Sequence, residues 1–94
     1  MQQVIKEIIR KIQKGCVFDA HYVIFQLIKD YSDIYLAFAS TVKASKKKTE
    51  VVHRMIAEAI DTFDTKGVIS RQDFESWSGN IHSKSSACTC WRKL

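Results

Sequence analysis

Apolar residues in the opening segment MQQVIKEIIRKIQK fall at Val4, Ile5, Ile8, Ile9 and Ile12. That spacing lies on one stripe of a 3.6-residue period and predicts a helix over residues 2–14. Lys6, Arg10 and Lys14 recur every four residues on another face, and Gly15 stands where a left-handed cap is expected. A second helix should open at Asp19, whose carboxylate can accept from the free N–H groups of the first turn. Phe18 and Val23 bracket that start like a hydrophobic staple. Val23, Ile24, Leu27, Ile28 and Tyr31 continue the inner face.

Ser32 is positioned to cap a third helix over residues 33–43. Its run IYLAFA is apolar all round, which predicts burial on several sides. KASKKK, from Lys43, is a basic connector, and Ser45 or Thr49 opens a fourth helix that reaches residue 63. The stripe of that helix is regular: Val51, Val52, Met55, Ile56, Ala59, Ile60 and Phe63.

After Gly67 the pattern weakens. Val68 and Ile69 are β-branched and predict a short extended piece. Ser70 and Asp73 have capping-box spacing, which predicts a short fifth helix over residues 71–77. Residues 77–94 read as a polar tail with a strand at 87–91, clasped to the helices by Trp77 and Trp91. The fold class expected is therefore all-α. It is an orthogonal bundle of four main helices, a short fifth helix and an extended C-terminal tail, with room for one short strand pair, in a single domain spanning residues 1–94.

Composition agrees with helices, since the chain holds no proline and three glycines. Three cysteines cannot all pair with one another, which favours a reducing compartment and a cytoplasmic protein. The first 14 residues mix charge with apolar groups and lack the uncharged core of a signal peptide. The most apolar stretch, YVIFQLIKDYSDIYLAFA, is interrupted by Lys29, Asp30 and Asp33, so no membrane span is expected.

Candidate chemistry is sparse. Around FDTKGVIS an EF-hand alignment on Gly67 puts Thr62 and Lys66 at ligand positions, where calcium needs hard oxygens. A helix, a glycine turn and a capped helix explain that stretch better. His82, Cys88 and Cys90, with Cys16 or His21 as a fourth group, offer zinc donors. Cys-x-Cys is not the usual knuckle spacing, and there is no second pair. No metal and no cofactor is therefore expected, and the two buried-type cysteines read as small apolar groups. Cys16, Asp19 and His21 form one local cluster for nucleophilic catalysis, but nothing in the sequence makes them meet, and no enzyme is expected.

Charge changes the picture more. The chain carries 15 basic and 10 acidic residues, a net +5. Basic residues concentrate in the first 14 residues, in the connector and in the tail, while residues 58–75 are acidic. Segregation of this kind marks an anion-binding face. The candidate nucleic-acid contacts are Lys6, Arg10, Lys14, Lys43, Lys46, Lys47 and Lys48.

The tail also resembles the ending of small bacterial proteins to which no activity is attached. The shared pattern is Ser76, Trp77, Ser78, Asn80, Ile81 and His82, then Ser86, Cys88, Trp91 and Lys93. FDAHYVI, at Phe18 to Ile24, is a second shared element. Ser83 departs from the pattern, which has glycine there. The resemblance implies a bacterial cytoplasmic protein and nothing about chemistry. Two functions follow from the residues. One is a non-enzymatic binding module that contacts nucleic acid through its basic face. The other is a protein-interaction or self-association module, a homodimer or a partner covering surplus apolar surface on the second to fourth helices.

Overall fold

A computed structural model describes residues 1–44, 46–79 and 85–94. The chain folds as α1 (Gln2–Arg10), β1 (Val17–Asp19), α2 (Ala20–Asp30), α3 (Ser32–Thr41), α4 (Lys48–Thr65), β2 (Ile69–Gly79) and β3 (Ser85–Lys93). The three strands form one antiparallel sheet in the order β1-β3-β2. The protein is thus a mixed helix-and-sheet fold, and the expected all-α helical bundle is overturned by that sheet.

The physical reason lies in β2. The predicted fifth helix, residues 71–77, is strand instead. Burial along β2 alternates with a period of two, with Ser70 and Gln72, then Ser76 and Ser78, on the sheltered face. A bulge between Arg71 and Glu75 interrupts that alternation. Ile69 is its one fully buried apolar residue. A polar strand broken by a bulge has almost no apolar period to detect, so the capping-box spacing of Ser70 and Asp73 misleads.

β3 supplies what β2 lacks. It is the central strand, and Cys88, Cys90 and Trp91 are buried along it. Trp91 lies 5.8 Å from the Phe18 ring, centroid to centroid, and donates its indole N–H to Asp61 at 3.0 Å. The tail is therefore fastened by one tryptophan rather than two, because Trp77 stands 75% exposed on β2.

The helices cover the sheet and one another. Ile5, Ile8 and Ile9 from α1, Val23, Ile24 and Leu27 from α2, and Val52, Ile56, Ile60 and Phe63 from α4 form one core with Phe18, Ile69 and Trp91. The stripe of α4 holds as expected at its centre, although Met55 is exposed. α1 stops at Arg10, four residues short of the prediction, so Lys14 lies beyond the helix on which Lys6 and Arg10 stand. α4 ends in a Schellman motif: Gly67 donates to Asp64 and Val68 to Phe63, and Gly67 has φ +74°.

α3 departs most from expectation. Its apolar run predicted burial on several sides, yet none of its residues is buried. Tyr35, Phe38 and Ala39 rest partly against the core, while Ile34 and Leu36 face outward. Among the described residues, no helix is long and apolar enough to cross a membrane.

Candidate functional site

One polar cluster sits where β1, α2 and the β2–β3 pair meet. Asp19 ends β1 and caps α2, accepting from the Tyr22 N–H at 2.9 Å. Capping fixes the carboxylate on the sheet side of the helix start. His21 follows in the first turn and is half-buried. A hydrogen bond of 2.5 Å joins its Nδ1 to Ser78 Oγ, and one of 3.3 Å joins its Nε2 to Ser86 Oγ. Ser76 donates to Asp19 Oδ2 at 2.8 Å. Cys88, buried on β3, pairs in register with Ser76. One donor atom each from Asp19, His21 and Cys88 lie within 4.8 Å of one another.

The electrostatics are set by burial against hydrogen bonding. Burial opposes a charge at Asp19, but hydrogen bonds from Ser78, the Tyr22 N–H and Ser76, aided by the charge of His21, hold the carboxyl below its usual range. Burial pushes the Cys88 thiol up, and the nearby Asp19 carboxylate adds to that. The thiol is thus held protonated at neutral pH, a poor nucleophile.

An open cleft of about 460 Å³ adjoins this cluster. Ile12, Val17, Phe18 and Tyr22 give it apolar walls, Asp19 and Ser76 belong to both cleft and cluster, and Lys11 and Cys16 also line it. Cys16, the thiol placed beside Asp19 and His21 by the sequence, is exposed. Cys88, from the other end of the chain, is the one that joins them. The sequence shows no signal for this pairing, because Cys88 lies nearly seventy residues from Asp19 along the chain. Cys90 is buried but outside the group, and His82 lies outside the described residues.

The seven predicted nucleic-acid contacts are all exposed, but they do not lie together. Lys43 and Lys46 to Lys48 stand at the N-terminal end of α4. Lys14 precedes Gly15, whose N–H donates to Lys93 O, and Leu94 in turn donates to Val68 O beyond the C-terminal end of α4. An 18-residue helix is about 27 Å long, so the lysine run and Lys14 are held at opposite ends of it. Arg10 is tied to Glu7 at 3.0 Å, and Lys6 lies midway along α1. The predicted contacts therefore fall in separate groups, the lysine run at one end of α4 and Lys14, with Arg92 and Lys93 beside Gly15, at the other.

Apolar surface is exposed on the α3 side. Leu36 is 63% exposed, and Phe38, Met55, Ala59 and Met1 line an open groove between α3, α4 and the start of α1.

No protein-family model matches the chain, and no curated protein or solved structure matches it.

Proposed function

We propose that this chain is a small non-enzymatic binding module that pairs with a second copy of itself through α3. The observation carrying this reading is an apolar helix, SDIYLAFAST, with no buried residue in the single chain. Exposing such a helix to water is unfavourable by about 25 cal/mol per Å² of apolar area, and a partner recovers that free energy. A second copy fits the face because residues 34–42 carry no charge at all. Two chains of net +5 repel one another overall, an uncharged patch adds no repulsion of its own, and a two-fold axis sets the same patch against itself. The buried Cys88 thiol, pushed up by burial, is a poor nucleophile, which supports a non-enzymatic role.

Light scattering of the purified protein tests this. A mass of twice 10.8 kDa is expected, falling to 10.8 kDa in Leu36→Glu with an unchanged circular dichroism spectrum. A wild-type mass of 10.8 kDa at millimolar concentration refutes it.

A second reading rests on a different observation. Lys46, Lys47 and Lys48 surround the start of α4, and no described side chain caps that start. Backbone N–H groups and lysines together attract phosphate, so this end of α4 is the stronger of the two basic groups for contacting nucleic acid. Replacing the three lysines by glutamine should lower the log–log salt slope of duplex DNA binding by up to about 3. No binding at low salt and micromolar protein ends this reading.

A further inference from the structure

We propose that Asp19, His21 and Cys88 form a binding site for a thiophilic divalent cation of the zinc type. Each offers one donor atom, and the three atoms lie within 4.8 Å of one another. Zinc holds sulfur at about 2.3 Å and nitrogen or oxygen at about 2.0–2.2 Å, which puts tetrahedral ligands about 3.3–3.8 Å apart. The three side chains therefore need to close by no more than about 1–1.5 Å to hold an ion.

The donors are positioned by separate, rigid devices. Asp19 is fixed by its cap bond to Tyr22 and by pairing opposite Cys90 in the sheet. Cys88 sits on the central strand. His21 is carried by the first turn of α2. Two of the three ligating groups also have outer partners: Ser76 on the Asp19 carboxylate, and Ser78 and Ser86 on the two ring nitrogens of His21. Outer-shell hydrogen bonds of this kind orient metal ligands. On binding, one ring nitrogen keeps its serine and the other turns from its serine to the ion. A water or a serine hydroxyl completes four ligands.

The donor set selects the ion. A thiolate and an imidazole suit zinc, cobalt and related metals, whereas calcium and magnesium require oxygen donors. Binding needs the thiolate, so the Cys88 S–H proton leaves to solvent as the metal–sulfur bond forms, with no change of oxidation state.

Cobalt(II) is the probe, since a thiolate on tetrahedral cobalt gives a near-ultraviolet charge-transfer band and intense visible bands. Titrating metal-free protein with cobalt should give both at one ion per chain, and zinc should displace them. Cys88→Ser should remove the charge-transfer band, while Cys16→Ser should leave it intact. His21→Ala should weaken cobalt binding by more than about 100-fold, and Ser78→Ala, which removes outer hydrogen bonds to His21 and Asp19, by about 10-fold. Asp19→Asn retains the helix cap and should weaken binding without unfolding the chain. A wild-type titration with no charge-transfer band overturns the proposal whatever the variants do. So does a band that disappears in Cys16→Ser and persists in Cys88→Ser, which places the ion on the exposed thiol.

Discussion

Removing the Trp91 side chain tests how the sheet is held to the helices. The residue is 1% exposed, it stacks on Phe18, and it donates to Asp61. A buried tryptophan hides about 150–250 Å², which at about 25 cal/mol per Å² is about 4–6 kcal/mol of transfer free energy. The Phe18 pair adds about 1 kcal/mol, and the bond to an Asp61 carboxylate about 1.5–3. The core relaxes around the gap, and Arg71, 3.4 Å from Asp61, still faces that carboxylate. Measured aromatic-to-alanine changes in cores cost about 3–5 kcal/mol, and Trp91→Ala is expected in that range. Stability for a chain of this length is about 5–14 kcal/mol, so the variant should be marginal. Urea unfolding followed by far-ultraviolet circular dichroism reads the effect. With a slope near 1.5 kcal/mol per molar, the midpoint should fall by about 2–3 M. Trp77→Ala, which removes the exposed tryptophan, should shift stability by less than about 0.5 kcal/mol. Equal shifts for the two variants, or a Trp91→Ala cost below about 1 kcal/mol, would refute the packing argument.

Ile60→Ala, at a fully buried position of α4, should cost about 2–5 kcal/mol, while Met55→Ala on the exposed edge of the same helix should cost under about 1, both read by urea midpoint. Asp19→Ala should lose about 1 kcal/mol of helix capping and Asp19→Asn much less. In metal-free protein the folded Asp19 titrates below its unfolded value, so its contribution is present above the ordinary aspartate pKa of about 3.9 and is lost as pH falls through the folded value. Acid titration of Asp19→Asn should therefore show a flatter fall in stability than wild type below about pH 4. Gly67→Ala should cost about 1 kcal/mol or more in thermal unfolding. Its methyl group meets nothing within 4 Å, so the whole effect is the left-handed backbone.

How much of this was legible in the sequence depended on period and range. α2 was read closely, because Asp19 as cap and Val23, Ile24 and Leu27 as core are local features. The central stripe of α4 was read for the same reason. α1 was overextended, because Ile12 and Lys14 keep the helical spacing while the chain turns toward Gly15 and its bond to Lys93, a partner nearly eighty residues on. The sheet was underestimated because β1 pairs with β3 across about 70 residues, and the local β2–β3 hairpin rests on a polar, bulged β2 with little apolar period. Val68, Ile69 and residues 87–91 were read as extended, but nothing local reports that β1 pairs with β3. The polar cluster was half visible. Asp19 and His21 are neighbours in sequence, but the thiol that joins them is Cys88, near in space, rather than Cys16, near in sequence. The exposure of α3 was legible only as surplus apolar surface on the second to fourth helices, because an apolar run looks the same whether a neighbouring helix or a second chain covers it.

The strand order β1-β3-β2 has a consequence for how the chain is made. Phe18 pairs with Trp91, so the two halves of that contact are about 70 residues apart along the chain. A ribosome adding about 5–20 residues per second needs roughly 4 to 14 s to pass from one to the other. During that interval α1, α2 and α4 can assemble from contacts along the nascent chain, but β1 is an unpaired edge and the Phe18 ring lacks its cover. The nascent domain is therefore most vulnerable to edge-to-edge aggregation late in synthesis, and a chaperone that shields extended apolar segments would act on β1 before β3 emerges.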